Sequence, residues 1–232
     1  IVYSAASGRQ QKLYTASALK LKEALAGGAW SGNGKLEVLS QLMRLRQICC
    51  DPALCFEDYT GESAKLETCV SLIASASAAG HKILLFSQFA SMLERIRERL
   101  LQEGISSHLL VGATPKEERS RMVQAFASDE VPVFLISLKA GGTGLNLTAA
   151  DIVIHFDPWW NQAAQDQATD RAHRIGQQAH VQVYKLIAKD TIEERILELQ
   201  NRKLALLDTI SGCEEAGILN MSSEELLSLL KS

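Results

Sequence analysis

The chain has 232 residues, of which 47% are hydrophobic and 22% charged, and its formal net charge is −3. These values are typical of a globular domain, and an acidic chain can bind nucleic acid only through a local basic face. No apolar run approaches the ~20 residues of a membrane helix, and no N-terminal signal pattern appears, so we expect an intracellular protein without a membrane partner. The five cysteines form no CxxC pair and indicate buried reduced thiols, not disulfides or a metal site.

The first quarter of the chain predicts an antiparallel pair of helices. Residues 9–29 carry apolar side chains among lysines and glutamines and end at a Gly-Gly pair, which cannot continue a helix well. Residues 35–49 form the second helix, which Asp51-Pro52 stops. The apolar residues expected along one side of this second helix are Leu36, Leu39, Leu42, Met43 and Cys50.

From residue 64 onward, helical and extended patterns alternate. The predicted strands cover residues 82–86, 107–111, 131–136, 152–156 and 181–186. The predicted helices between the first of them cover residues 64–79, 92–102 and 115–126, with Leu93, Ile96, Leu100 and Leu101 of one helix inward. This alternation indicates an α/β fold with a parallel sheet and helices on both faces. Right-handed crossovers then bring the carboxyl ends of the strands to one edge of the sheet.

The loops that leave the strands contain the residues most suited to chemistry. Residues 87–89, 112–114, 137–144 and 157–161 follow the first four strands in turn. The third of these loops is rich in glycine, which permits close backbone approach and exposes N–H groups suited to phosphate. It is not a Walker A loop, because no Gly-Lys-Ser/Thr follows a GxxxxG spacing.

Residues 157–177 predict a turn, a helix and a second turn at Gly176. Arg171 and Arg174 lie three positions apart, so a helix would present both guanidinium groups on one face, with Gln167 on the same side. Paired arginines suit a polyanion such as a nucleoside triphosphate, since the guanidinium fork matches phosphate oxygens. Considered without other motifs, the pair favours the simpler interpretation of two solvated surface residues, which is the usual situation of paired arginines.

Several other side chains admit two interpretations. Arg44 and Arg46, on the second helix, suit either a solvated face or a role against DNA or another lobe. Trp159 is expected in the core, and Trp160 is expected to be exposed and to contact nucleic acid. His155, inside a strand, is interpreted as a hydrogen-bonded core histidine.

Six blocks of the sequence together resemble the Swi/Snf-like DNA translocases, a branch of helicase superfamily 2. They are LRQICCDP (45–52), SAKLE (63–67), KILLFSQF (82–89), SLKAGGTGLNLTAAD (137–151), DPWWN (157–161) and QATDRAHRIGQ (167–177). The blocks occur in the family's order and roughly with its spacing, and they cover most of the chain. The resemblance implies a RecA-like fold and the C-terminal helicase lobe of such a motor, and the short tail after Ile210 favours a bacterial member.

The resemblance also implies a division of the chain. Residues 1–62 would form a helical protrusion with a lead-in to the core, residues 63–190 the RecA-like lobe, and residues 191–232 brace helices. Two sequence patterns, Thr191-x-x-Glu194 and Ser222-x-x-Glu225, predict capping boxes at the start of the brace helices.

With the resemblance, individual residues acquire candidate roles. The catalytic candidates are the arginine fingers Arg171 and Arg174. The candidate ATP-binding residues are Gly142, Gln167 and Asp170. The candidate DNA-binding residues are Ser87, Gln88, Gly112, Thr114, Lys139, Ala140, Gly141, Thr143 and Trp160. No metal ligand is predicted.

The resemblance implies ATP and Mg²⁺ as cofactors, although the phosphate cradle and Mg²⁺ ligands of such motors are not found in this sequence. They are expected on a preceding RecA-like lobe, so we expect this chain to be inactive alone. The implied partners are double-stranded DNA, the chain's own N-terminal lobe and an unidentified DNA-bound protein. We expect a monomer that acts in the cytoplasm or nucleoid if bacterial and in the nucleus if eukaryotic.

Two positions depart from the family's pattern. Gln162 stands where a proline usually follows the DPWWN block, and Val111 stands where an acidic residue usually precedes the glycine of the second loop. Two other functions stay open from the sequence. One is a strand-separating helicase, although no wedge hairpin is recognisable, and the other is a non-catalytic interaction module that no longer hydrolyses ATP.

Overall fold

The structure is a computed structural model and describes residues 1–6, 8–28, 30, 34–141, 147–160, 162–169, 181–206 and 221–230. The chain divides into two compact units. The first contains residues 1–2, 66–157 and 163–186, and the second contains residues 3–65, 158–162 and 187–232. The predicted boundaries at residues 62 and 190 stay a prediction, since helices from both ends of the chain share the second unit.

The first unit contains most of a six-stranded sheet, whose strand order is β1-β6-β5-β2-β4-β3. The strands are β1 (Val2–Ser4), β2 (Ile83–Ser87), β3 (Ser107–Leu110), β4 (Val133–Ser137), β5 (Ile152–His155) and β6 (Gln182–Ala188). The pairs β2–β4, β2–β5, β3–β4 and β5–β6 are all parallel. The predicted α/β fold with a parallel sheet is therefore confirmed.

The central strands are buried along their whole length, because helices cover both faces of a parallel sheet. Every residue of β2, β4 and β5 is buried. Their continuous apolar runs made them recognisable from sequence. The edge strand β1 was not predicted, since three residues with a polar end carry no such signal.

Five helices connect or precede these strands: α3 (Ala64–Ala78), α4 (Ala90–Gln102), α5 (Lys116–Ser128), α6 (Leu138–Gly141) and α7 (Gln162–Thr169). Helix α4 buries Met92, Leu93, Ile96 and Leu100, which share one helical face. The prediction that Leu101 also lies inward is wrong, since its side chain is 72% exposed. One step along a helix rotates a side chain far enough to leave a narrow buried face.

The second unit is mainly helical and contains α1 (Gly8–Ala26), α2 (Gly34–Cys50), α8 (Ile192–Leu206) and α9 (Ser223–Leu229). A 3-10 turn, Pro52–Leu54, follows α2, and the side chain of Asp51 caps it by accepting from the Ala53 amide at 2.9 Å. The core of this unit includes Leu21, Leu25, Val38, Leu42, Leu45, Ile48, Ile192, Ile196, Leu226 and Leu229. In the described ranges, no helix is long and apolar enough to cross a membrane.

The buried face of α2 differs from the predicted one. Leu36 and Met43 were expected inward, but their side chains are 77% and 43% exposed. Val38, Leu42 and Leu45 are buried instead, and they follow the spacing of one helical stripe. The sequence contains two apolar stripes on this helix, and only the packing partners decide which of them is buried.

The two predicted capping boxes have different outcomes. The box at Ser222 is confirmed, since its hydroxyl accepts from the Glu225 amide at 3.2 Å and the Glu225 carboxylate accepts from the Ser222 amide at 2.6 Å. At Thr191 the pattern is shifted: its hydroxyl accepts from the Glu193 amide, and the Glu194 carboxylate accepts from the Asp190 amide. Asp190 has a φ of 58°, which turns its N–H toward Glu194.

Candidate functional site

The loops after four parallel strands emerge at the same edge of the sheet, as predicted. The register pairs Ser87 of β2 with Ser137 of β4, and Phe86 with His155 of β5. Leu110 of β3 pairs with Ile136, one position before Ser137. The candidate residues that follow these positions therefore start from one line across the sheet, here called the strand-end edge.

Asp157 organises the first part of the strand-end edge. Its carboxylate is buried and accepts hydrogen bonds from the Ser87 hydroxyl at 2.5 Å, the Gln88 amide nitrogen at 3.3 Å and the Gln88 side chain at 2.9 Å. The Ser87 hydroxyl in turn accepts from the Phe89 amide at 3.1 Å. The hydroxyl of Ser87 is thus committed inside the protein, whereas Gln88 stays partly exposed at the surface.

The loop after β3 is held by its own hydrogen bonds and by Arg119. The Val111 amide donates to the Thr114 hydroxyl at 3.2 Å, and the Thr114 amide donates to the Val111 carbonyl at 3.0 Å. The Arg119 guanidinium donates to the carbonyls of Thr114 and Gly112 at 2.8 and 2.9 Å. Arg119 was not predicted as a site residue. Its signal in the sequence is an arginine near the start of α5, where the helix dipole disfavours a cation and the side chain therefore needs another partner.

Gly112 faces open space. A Cβ atom built at this position would meet no heavy atom within 4 Å, and the glycine is exposed. The fold itself therefore does not require glycine here. A glycine that the fold does not need is suited to a surface that another molecule approaches closely.

The loop after β4 begins with the short helix α6. The buried Ser137 hydroxyl accepts from the Ala140 amide at 3.3 Å. Ala140 is itself only 1% exposed, so its methyl group packs into the protein and cannot contact DNA. For Gly141 the structure describes only the helical backbone, and for Lys139 the side chain lies outside the description. Gly142 and Thr143 lie outside the described residues.

Helix α7 is attached to the sheet through His155. The Nε2 atom of His155 lies 2.9 Å from the Thr169 hydroxyl, which donates to the Gln165 carbonyl at 3.3 Å. Because the hydroxyl proton is used in the second bond, Nε2 carries the proton in the first. Burial, with a smaller contribution from the positive charge of Lys185, lowers the pKa of His155 to about 3.

His155 is therefore a neutral core histidine, as predicted, but only Nε2 is hydrogen-bonded, since its buried Nδ1 has no hydrogen-bond partner among the described residues. Its ring also stacks on Phe86, with centroids 5.7 Å apart. Gln167, two residues before the end of α7, is exposed. Arg171, Arg174 and Asp170 follow α7 directly and lie outside the described residues, so their roles stay predictions.

The two tryptophans belong to the helical unit and differ from expectation. Trp160 was expected to be exposed, but it is partly buried and packs against the helical core, while Arg46 lies over its ring at 5.6 Å. Trp159 is also partly buried, not fully, and the side chain of Gln200 donates to its carbonyl. The large indole of Trp160 packs inward because α2 presents both apolar surface and a cation to it.

The two arginines of α2 differ in their burial. Arg46 is 0% exposed, so the solvated interpretation is wrong for it. It donates to the Pro158 carbonyl at 2.5 Å. Arg44 is exposed and lies over the Phe56 ring at 4.9 Å.

The described cysteines are free thiols. No group of three or more His, Cys, Asp or Glu side chains in the described parts of the chain could hold a metal ion. Cys49, Cys50 and Cys69 are buried as predicted, whereas Cys55 is only partly buried, and burial raises the pKa of the Cys49 thiol far above its usual value. Cys213 lies outside the description.

Comparison with known proteins identifies the family. Residues 64–176 match the family model described as the helicase conserved C-terminal domain. An uncharacterized ATP-dependent helicase of Mycoplasma genitalium is 39% identical over 99% of this chain, which corresponds to 22% of that protein. The chain spans between 19% and 22% of the length of the first three curated relatives.

Two solved structures from Sulfolobus solfataricus are similar over almost the whole chain. The SWI2/SNF2 ATPase C-terminal domain is 32% identical, with a TM-score of 0.80, covering 98% of this chain and 95% of its own. The SWI2/SNF2 ATPase core in complex with dsDNA is 35% identical, with a TM-score of 0.83, covering 98% of this chain and 48% of its own. Sequence identity and fold agree along nearly the full length of the C-terminal domain. The chain therefore belongs to the SWI2/SNF2 family of ATP-dependent helicases and corresponds to its C-terminal helicase domain.

Proposed function

We propose that this chain is the second motor lobe of an ATP-dependent double-stranded DNA translocase. In this proposal Arg171 and Arg174 act as arginine fingers on ATP held by an N-terminal RecA-like lobe, which also supplies the Mg²⁺ ligands. The strand-end edge holds the DNA backbone. Closing and opening of the two lobes with each ATP then moves the motor along the duplex.

The attachment of α7 to the sheet supports the proposed role of Arg171 and Arg174 in ATP hydrolysis. An arginine finger stabilises charge only if its position is preset, because the transition state lasts too briefly for a search. The His155–Thr169 hydrogen bond joins the last residue of α7 to the central strand β5, one residue before Asp170. Gln167, exposed on α7, and Gly142 complete the proposed contacts to ATP.

The loops of the strand-end edge support the DNA side. Gly112 leaves space for a phosphate to approach, and the turn at Thr114 holds its backbone in place. Gln88, after β2 on the same edge of the sheet, is partly exposed. Ser87 and Ala140 are buried as whole residues, so they support the loops from inside and do not contact DNA themselves. Lys139, Gly141 and Thr143 add backbone amides and a cation, and Trp160 adds the part of its ring that remains exposed.

The similar Sulfolobus core was solved with dsDNA, which favours duplex DNA as the ligand here. We further propose that the motor acts as a monomer on a DNA-bound protein of unknown identity. The proposal separates two functions on one lobe: the arginines after α7 act on the rate of hydrolysis, and the strand-end loops act on DNA affinity.

The experiment is a steady-state ATPase titration with duplex DNA, using the complete protein that contains this chain. Arg171→Ala and Arg174→Ala should each lower the DNA-stimulated kcat by roughly 10³-fold or more, with DNA affinity preserved, because a finger acts on transition-state charge. Lys139→Ala should raise the DNA concentration for half-stimulation and preserve kcat. Arg97→Ala, an exposed position in the middle of α4, serves as the control and should change neither quantity. An exchange of the two effects would show that the sites are assigned the wrong way round.

The same assay on this chain alone tests the division between lobes. The chain should hydrolyse ATP at the background rate even with saturating duplex DNA. Turnover by this chain that Arg174→Ala abolishes would place a complete catalytic site within it and overturn the proposal. Unwinding of a blunt duplex by the complete protein would instead favour a strand-separating helicase.

A further inference from the structure

Arg46 is a fully buried cation in the middle of the helical unit. Its side chain is 0% exposed, and its Nη2 atom donates to the carbonyl of Pro158 at 2.5 Å. Its guanidinium carbon lies 5.6 Å from the centre of the Trp160 ring. One side chain thus holds both the backbone and the indole of the segment 158–160, which stands 112 positions later in the chain.

A second side chain holds the same segment from another helix. Gln200 of α8 is 3% exposed, and its Nε2 atom donates to the carbonyl of Trp159. The carbonyls of two consecutive residues are therefore each occupied by a buried side-chain donor. A loop with solvated carbonyls would need neither donor, so these contacts fix the path of the backbone and do more than fill space.

The choice of arginine at this buried position has a physical cost. Removing a guanidinium from water is unfavourable by several kcal/mol, and an apolar side chain of similar volume often packs without penalty. Arginine can, however, donate from the edge of a planar group while the face of that group lies over an aromatic ring. Methionine can fill the space but can do neither, and lysine can donate without presenting a planar face.

The segment held by Arg46 leads directly into the helix before the arginine fingers. Trp160 stands two residues before Gln162, the first residue of α7, and α7 runs to Thr169. We propose that Arg46 is a positioning residue: by holding Pro158 and Trp160 it sets the lead into α7 and so the placement of Arg171 and Arg174. This inference rests on the proposed arginine-finger function, because it assigns Arg46 an effect on hydrolysis.

The hold on the segment can be measured without any ATPase assay. The chain is labelled with 5-fluorotryptophan, and the ¹⁹F resonances of Trp30, Trp159 and Trp160 are assigned with single Trp→Phe variants. Arg46→Met should shift or broaden the Trp160 resonance and leave that of Trp30 in place. Leu45→Ala is the matched control, since Leu45 is 1% exposed on the same helix and belongs to the helical core. It removes apolar packing from the cluster against which Trp160 also packs, so it measures how far the Trp160 resonance moves through core packing alone, and the shift caused by Arg46→Met should exceed it.

The effect on the reaction is measured in the complete protein, below the unfolding transition of every variant. Arg46→Met should lower the DNA-stimulated kcat by roughly 10- to 100-fold with little change in the KM for ATP, because displacing a catalytic group by about 1 Å costs on the order of 10²-fold in rate. Leu45→Ala should keep the wild-type kcat. Arg46→Lys, which keeps a donor and a charge, should recover part of the loss.

The outcomes separate the two proposals. If the Trp160 resonance moves no further in Arg46→Met and Arg46→Lys than in Leu45→Ala, the hold is overturned, whatever the ATPase shows. A changed resonance with a kcat equal to that of Leu45→Ala overturns the positioning role. Should Arg174→Ala itself leave kcat unchanged, the arginine-finger function fails, and the positioning role fails with it while the ¹⁹F result still decides the hold. If Arg46→Met does not fold, Arg46→Lys and Gln200→Leu provide the same comparisons.

Discussion

Asp157, just after β5, accepts a 2.5 Å hydrogen bond from the hydroxyl of Ser87, the last residue of β2. The two residues are neighbours only because β2 and β5 are adjacent parallel strands. The same carboxylate also holds the backbone and side chain of Gln88. One buried acid thus fixes the exits of two strands from which the proposed DNA-binding loops begin.

Replacing Asp157 should lower the free energy of unfolding substantially. Asp157→Ala would leave the Ser87 hydroxyl and two donors of Gln88 without their acceptor, and we expect a loss of about 2–4 kcal/mol in the free energy of unfolding. Asp157→Asn should cost only about 1 kcal/mol, because a flip of the Gln88 amide restores all three hydrogen bonds without the charge. Urea unfolding followed by circular dichroism measures both. Asp58→Ala, at an exposed position, is the control, and equal losses for the two Asp157 variants would contradict this account.

Gly112 offers a test that separates binding from stability. Gly112→Ala should change the free energy of unfolding by less than about 0.5 kcal/mol, since a Cβ atom there meets nothing within 4 Å. In the complete protein it should weaken duplex binding, because the added methyl occupies the space proposed for a phosphate. Gly104→Ala makes the opposite comparison. Its φ of 74° disfavours any side chain, so it should lose about 1 kcal/mol of stability and keep DNA affinity. Unimpaired DNA binding by Gly112→Ala would remove this loop from the interface.

The buried His155 should make stability depend on pH. Its folded pKa of about 3 lies well below the ~6.5 of an unfolded histidine, so the unfolded state binds a proton first as pH falls. Its contribution is fully present above about pH 6.5 and is lost on acidification at up to ~1.4 kcal/mol per pH unit. His155→Gln can keep the bond to Thr169 and cannot titrate. Between pH 7.5 and 5.5 its unfolding free energy should therefore fall less than that of the wild type, and parallel curves would show that His155 takes up a proton in the folded protein.

Binding to duplex DNA should be weak for this chain and should fall steeply with salt. Contacts to phosphates release counterions, so the logarithm of the binding constant should fall linearly with the logarithm of salt concentration. Lys139→Ala should reduce the magnitude of this slope by about 1, the effect of one phosphate contact, whereas Arg97→Ala should not change it. Fluorescence anisotropy at several salt concentrations measures the slope. Affinity that is indifferent to salt, or that depends on base sequence, would contradict contacts to the backbone.

Local pattern was sufficient to predict five of the six strands and the strand-end edge, and it missed the short edge strand β1. The apolar runs ILLFS at 83–87 and VFLIS at 133–137 are long enough to indicate buried parallel strands, and parallel strands with right-handed crossovers leave their loops at one edge. The sequence therefore predicts that the loops after β2, β3, β4 and β5 lie at one edge of the sheet. Capping at Ser222 was likewise predictable, because both partners lie within four residues.

Which side of a helix is buried was harder to predict than the helix itself. Helix α2 carries one apolar stripe with Val38, Leu42 and Leu45 and another with Leu36 and Met43. Both stripes lie on the same helix, so helix propensity does not distinguish between them. The choice between them depends on where α1, α8 and α9 lie, and these helices come from distant parts of the chain.

The chain's residues by themselves determined the buried strands, the edge at which their loops leave the sheet, and the motif series that resembles the Swi/Snf-like family, because these depend on short spacings along the sequence. The tertiary structure alone decided the state of individual polar side chains. The buried Arg46 has the carbonyl of Pro158 and the ring of Trp160 among its partners, and the inward-facing hydroxyl of Ser87 donates a hydrogen bond to Asp157. A polar side chain can be buried only where a partner satisfies it, and for both residues that partner is more than 60 positions away.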